Sequence, residues 1–101
     1  MVWGFFVFWM SYTVYILRSV NFDRYYIGQT ADISDRLQRH NNGREKYTSP
    51  YLPWYLIWSA EVESRSEAMI LERKLKNLSR ARLKLFIEKY SKGKAGADDS
   101  A

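Results

Sequence analysis

Tyr12-Thr13-Val14-Tyr15-Ile16-Leu17-Arg18, then Asn21-Phe22-Asp23, then Arg24-Tyr25-Tyr26-Ile27-Gly28, is the stretch on which the fold turns. Two short runs are filled by β-branched and aromatic residues, the types that fit a pleated, half-buried surface. Between them, Asn21 and Asp23 supply turn chemistry, because their side chains bond locally to the backbone. Residues 12–28 therefore read as a β-hairpin. Strand alternation puts Thr13, Tyr15 and Leu17 on one face, and Tyr26 and Gly28 on one face of the returning strand. The register between the two strands is left open.

Downstream, Asp32 is a good N-cap for a helix running to about His40, with Ile33 and Leu37 as its apolar face. Asn41-Asn42-Gly43 stops that helix. A polar loop follows from Arg44 to Pro53, and Trp54 to Ala60 reads as a third strand. Ser64-Arg65-Ser66-Glu67 has the form of a capping box. It opens a helix with Ala68, Leu71, Leu75 and Leu78 on one stripe. Ser79 caps a last helix whose inward residues are Leu83, Phe86, Ile87 and Tyr90. The tail from Ser91 is small and polar and is expected to be disordered. The fold class is α+β, a small three-stranded antiparallel sheet flanked by helices in the order β-β-α-β-α-α.

Upstream, residues 1–17 carry no charge. A membrane span needs about 20 apolar residues, and this run contains Ser11, Tyr12 and Thr13. It also lacks the basic start and small-residue cleavage site of a signal peptide. Residues 1–11 are read as an apolar arm, with Met10 as an alternative start, ahead of a domain over residues 12–90 and a tail over residues 91–101.

At 101 residues the chain is one domain at most. It has no cysteine and one histidine, which excludes a disulfide framework, a cysteine-held metal and a multi-histidine zinc site. Any metal would be held by oxygens, which suits magnesium or manganese. The net charge is +5, and residues 64–90, with eight basic against three acidic side chains, carry an excess of that size. Such a surface suits a polyanion such as nucleic acid.

Tyr15 and Tyr26 lie eleven residues apart, Arg36 follows Tyr26 by ten, His40 stands one helical turn beyond Arg36, and Glu72 lies in the next long helix. With the intact tripeptide Tyr26-Ile27-Gly28 and the degenerate Thr13-Val14-Tyr15, this set resembles the GIY-YIG nuclease family, including the nuclease domain of excision-repair enzymes. The segment Pro53-Trp54-Tyr55-Leu56-Ile57 is similar to the third strand of its small bacterial members. Each residue taken alone has a plainer reading. The tyrosines would be sheet residues, Arg36 would pair with Asp32, His40 would complement the helix C-terminus, and Glu72 would pair with Lys76. It is the joint occurrence in order that carries the resemblance.

The resemblance implies a cytoplasmic, metal-dependent endonuclease that hydrolyses phosphodiester bonds, with DNA as the expected substrate and repair or recombination as the family-level setting. It implies one Mg2+ or Mn2+ ion on Glu72, Arg36 on phosphate oxygens, Tyr26 positioning phosphate or water, and Tyr15 as general base with His40 as proton acceptor. The proton from water is open among Tyr15, His40 and a water on the metal. A free tyrosine is a poor base at neutral pH, and nearby cations such as Arg36 are expected to lower its pKa. Gly28 is expected to let a nucleic-acid backbone approach. Arg73, Lys74, Lys76, Asn77, Arg80, Arg82 and Lys84 are expected contacts to nucleic acid. The loop residues Arg44, Lys46, Tyr47 and Tyr51 have the mixed basic and aromatic character that suits a strand. Specificity would be weak or supplied by a protein partner. The rival readings are a nucleic-acid-binding module that does not cut and an interaction domain docking through the N-terminal arm.

Overall fold

In the computed structural model residues 11–100 are described, and side chains for residues 11–91. The N-terminal arm, apart from Ser11, and the Met10 start lie outside the described residues.

Three strands, β1 (Tyr12–Ser19), β2 (Tyr25–Thr30) and β3 (Trp54–Val62), form one antiparallel sheet in the order β2-β1-β3. Helix α1 (Ile33–Asn41) follows the hairpin, and α2 (Arg65–Lys76) and α3 (Arg80–Ser100) follow β3. The expected order and class are those found. The uncharged run Val14–Leu17 is explained by its place: β1 is the central strand, and all four side chains are fully buried. A strand covered on both faces reads as a continuous apolar run.

The two faces carry separate cores. Val14, Ile16 and Ile27 pack with Ala68, Leu75 and Leu83 from α2 and α3. Tyr15, Leu17 and Trp54 pack with Tyr26, Ile33, Leu37, Tyr51 and Leu52 on the other face, under α1 and the loop. Truncating a buried aliphatic such as Leu75 to alanine costs about 2–5 kcal/mol in such settings. The stripe Ala68, Leu71, Leu75 and Leu78 faces the core as expected, whereas Tyr90 does not: it is half exposed and lies against Phe86 at 4.7 Å between ring centroids.

The local signals for element ends are chemical. The Asp32 carboxylate accepts from the Asp35 N–H at 3.0 Å, and Ser64 Oγ accepts from the Glu67 N–H at 3.1 Å. The return bond of that second cap runs from the Glu63 N–H to Glu67 Oε1 at 3.3 Å, one residue earlier than a standard box. α1 ends in a Schellman motif: Gly43 adopts φ 76°, its N–H bonds to the His40 carbonyl, and the Arg44 N–H reaches the Arg39 carbonyl. A register shift between Ile16 and Leu17 against β3 marks a bulge, which weakens the alternation of β3. α3 continues as backbone past Tyr90, where the sequence reading ends the helix and begins a disordered tail. Lys92, Lys94, Ala95 and Ala97 are good helix formers that offset Gly93 and Gly96. No described helix is long and apolar enough to cross a membrane.

Candidate active site

The hairpin register decides the site. Tyr15 pairs with Gly28 and Leu17 with Tyr26, so both tyrosines share the face under α1. Gly28 is buried, and a Cβ built on it would lie 2.6 Å from the Tyr15 hydroxyl oxygen and 2.8 Å from its Cζ. The close approach that Gly28 permits is thus by the chain's own tyrosine ring, not by a substrate backbone as the sequence reading expected. Gly28→Ala is expected to push that ring aside, destabilising the domain by about 1–3 kcal/mol. Thermal denaturation checks this, and an unchanged Tm would mean the ring accommodates the methyl freely.

α1 places Arg36 and His40 over this face. His40 is fully buried, and its Nε2 stands 3.0 Å from the Tyr15 hydroxyl. Its Nδ1 stands 2.8 Å from Thr48 Oγ1 in the loop before β3. The Tyr26 ring lies 4.9 Å from the imidazole and 6.3 Å from the Tyr15 ring, centroid to centroid. Trp54 closes the floor: its ring nitrogen donates to the Thr48 carbonyl at 2.8 Å, and its ring meets Tyr26 edge-on at 6.5 Å. Among the described residues Arg36 makes no ion pair with Asp32, whose carboxylate caps the helix, and its buried Nε has no hydrogen-bond partner.

Burial dominates the electrostatics. It pushes the Tyr15 hydroxyl well above its ordinary pKa of 10.0, with the neighbouring Tyr26 adding to the rise and the Arg36 guanidinium only partly countering it. Arg36 lowers it as expected, but desolvation of a phenolate between two packed layers outweighs that one adjacent cation, and the net shift is upward. Tyr26 is also raised, chiefly by burial, with Lys76 opposing and Glu45 adding. His40 is lowered by burial, with Glu45 opposing and Arg36 and Arg39 reinforcing. The resting pair is neutral tyrosine and neutral histidine.

Linkage gives the pH dependence a sign. The lowered His40 lends stability that is present above its unfolded value of 6.5 and is lost as pH falls below it. The raised Tyr15 lends stability that is present below 10.0 and is lost as pH rises beyond it. Thermal melts across pH should show the alkaline loss diminished in Tyr15→Phe; an identical alkaline limb would remove Tyr15 as its source.

Glu72 belongs to α2, which covers the opposite face, and reaches the free edge at β2. Its Oε1 accepts from Gln29 Nε2 at 3.0 Å and its Oε2 pairs with Lys76 Nζ at 2.9 Å. It lines an open pocket of about 350 Å3 with Gln29, Arg65, Met69, Arg73, Lys76 and Asn77. Tyr26 joins the two halves, since its hydroxyl feels Lys76 and Glu72 from α2 and Glu45 and Arg36 from the α1 side. Of the expected nucleic-acid contacts, Lys76, Arg73 and Asn77 stand at this pocket, while Lys74, Arg82 and Lys84 are exposed elsewhere on α2 and α3. Arg80 does not fit the expectation. It is held at the hairpin turn, paired with the Asp23 carboxylate, bonded to the Asp23 carbonyl at 2.7 Å and stacked 5.1 Å from the Tyr25 ring centre. Thr48 and Gln29 were missed. Alternation from Tyr26 places Gln29 on the far face, toward Glu72, but no periodicity marks Thr48.

The GIY-YIG catalytic domain model matches residues 11–91. The chain belongs to the GIY-YIG family. GIY-YIG domains are nuclease domains, so the family's substrate class is nucleic acid. A UPF0213 protein of Bacillus velezensis is 34% identical over 85 residues, covering 83% of this chain and 85% of that protein. A UPF0213 protein of Streptococcus pneumoniae is 42% identical over 64 residues, covering 62% of this chain and 65%, just under two thirds, of that protein. The solution structure of the UPF0213 protein BH0048 of Bacillus halodurans superposes with a TM-score of 0.52 at 32% identity, covering 78% of this chain and 84% of that one. The small GIY-YIG-like fold that the resemblance implies is thereby shown.

Proposed function

We propose that this GIY-YIG domain is an endonuclease that hydrolyses phosphodiester bonds, with DNA as its substrate and one divalent ion as its cofactor. The observation that carries the reading is the buried hydrogen bond between Tyr15 and His40, beside which the Nε of Arg36 finds no hydrogen-bond partner among the described residues. A structural tyrosine needs no histidine behind its hydroxyl, whereas a proton-transfer pair does.

The donor set at Glu72 fits a hydrated Mg2+ or Mn2+. Such ions are commonly held through one or two carboxylates with waters filling the shell, and among the described residues no group of three or more acidic or histidine ligands gathers. A bound ion would supply positive charge to the scissile phosphate and to the leaving oxygen. Lys76 would release Glu72 Oε2 and remain at the pocket as a phosphate partner.

Arg36 offers a planar fork of donors for phosphate oxygens. In the resting state Tyr15 is sealed from solvent and Arg36 lies against its hydroxyl. Turning Arg36 onto a substrate phosphate would uncover that hydroxyl. Tyr15 would then take a proton from the attacking water as it gives its own to His40 Nε2. Hydroxide is thereby delivered to phosphorus, and the positive charge comes to rest on an imidazolium that Glu45 helps to stabilise. Passing the proton on in one motion avoids a free phenolate, which burial makes costly. Tyr26, partly exposed, faces both halves of the site and orients the phosphate.

The test is cleavage of labelled single-stranded, duplex, flap and branched DNA, and of RNA, in Mg2+, in Mn2+ and in EDTA. Metal-dependent cutting of DNA is expected. Binding without cutting under all conditions would replace the enzyme with a nucleic-acid-binding module.

A further inference from the structure

The imidazole of His40 has two hydrogen-bonded nitrogens, and its neighbours determine which of them carries the proton. At one end, the Tyr15 hydroxyl has beside it His40 Nε2 and the Arg36 guanidinium. A guanidinium only donates, so the Tyr15 proton has Nε2 as its acceptor. At the other end the proton is then on Nδ1, and Thr48 Oγ1, 2.8 Å away, accepts it with its own hydroxyl proton turned toward the Glu45 carbonyl oxygen at 3.4 Å. The threonine lone pairs are thus left for an Nδ1–H. Thr48 is itself only 1% exposed, so water does not compete for the role.

We propose that Thr48 is a positioning residue that holds His40 in the Nδ1–H form and so keeps Nε2 open to the proton of Tyr15. The use made of that proton rests on the nuclease reading; the tautomer does not. Thr48 is fixed by bonds on both sides of its side chain. Its N–H donates to the Glu45 carbonyl at 3.2 Å and its carbonyl receives the Trp54 ring N–H. Replacing its hydroxyl with a methyl leaves these backbone bonds in place and orphans the Nδ1–H. The buried Nδ1–H then has no acceptor, a cost that shifts the tautomer balance toward Nε2–H, against the preference that Tyr15 sets at the other nitrogen.

The charged and titratable groups around His40 are Tyr15 from β1, Tyr26 from β2, Arg36 and Arg39 from α1, and Glu45 from the loop. Among the described residues none of these except Tyr15 hydrogen-bonds to the ring, so the tautomer is set by Tyr15 at Nε2 and Thr48 at Nδ1 together.

The chain has one histidine, so its imidazole nitrogen signals are assigned without ambiguity. Long-range proton–nitrogen NMR on 15N-labelled full-length protein at pH about 8, above the ordinary imidazole pKa, should show Nδ1 protonated and Nε2 bare. Thr48→Val should shift the population toward Nε2–H and lower cleavage by roughly 10²–10⁴-fold, the usual share of a proton-transfer group. Thr48→Ser should restore both signals. Should Thr48→Val fail to fold, Thr48→Ala removes the same hydroxyl without adding bulk. A wild-type imidazole protonated on Nε2, or a Val or Ala variant that keeps the wild-type tautomer, would overturn the assignment, even with cleavage lost. The expected tautomers in a protein that cuts no substrate would uphold the role of Thr48 and overturn the nuclease reading alone.

Discussion

Tyr15→Phe is expected to reduce cleavage by roughly 10²–10⁴-fold while leaving a folded domain. The ring is retained, so its contacts with Leu17, Trp54 and Gly28 persist; only the hydroxyl is lost. The stability cost is not negligible, because the hydroxyl is fully buried and its loss leaves His40 Nε2 without a partner. Stranding a buried acceptor costs about 1–3 kcal/mol. Single-turnover cleavage paired with denaturant unfolding separates the two effects. A variant with near-wild-type rate would take the proton transfer away from Tyr15. A variant that has lost its fold would show that the hydroxyl is mainly structural.

Glu72→Ala should abolish cleavage with nucleic-acid binding retained or strengthened. The carboxylate is the acidic group of a pocket whose other charged residues are Arg65, Arg73 and Lys76, so its removal makes the pocket more attractive to phosphate. Stability should change little. The Lys76 partner is about half exposed and spaced i to i+4, a pairing that contributes about 0.2–0.5 kcal/mol. Filter binding or fluorescence anisotropy beside the cleavage assay makes the prediction specific. Unaltered metal-dependent cutting would locate the ion elsewhere, and loss of binding would make Glu72 a structural residue.

The parts of the fold legible in the sequence are those set by local chemistry. Asp32, Ser64 and Ser79 cap the helices they precede, and Gly43 ends α1, because a cap is made by residues within three or four positions. The shared face of Tyr15 and Leu17, and the one-turn spacing of Arg36 and His40, follow from the periods of strand and helix. What escaped was set over long separations. The register that puts Gly28 against Tyr15 depends on the turn geometry. Arg80 looked like a phosphate contact but meets Asp23, 57 residues earlier, where α3 begins beside the hairpin tip. The net direction of the Tyr15 pKa is hidden for a similar reason, since it reflects two layers packed around β1 more than the nearby arginine, which lowers it as expected. Thr48 was hidden in a polar loop, where nothing distinguishes a buried hydroxyl from a solvated one.

Asn41 gives the chain a further property. Its amide nitrogen donates to the Trp54 carbonyl at 2.9 Å and its amide oxygen accepts from the Trp54 N–H at 2.7 Å. One side chain thus imitates a neighbouring strand and sews the end of α1 to the start of β3, turning the segment between them into a closed ring. Lengthening a ring that is already fastened is cheap, about 0.6 kcal/mol for each doubling. Its outward arc, where Tyr47 is 81% exposed, can therefore change in length with little loss of stability. A longer or shorter arc thus leaves Trp54 in place beneath Tyr26, because the stitch at Asn41 is made below it.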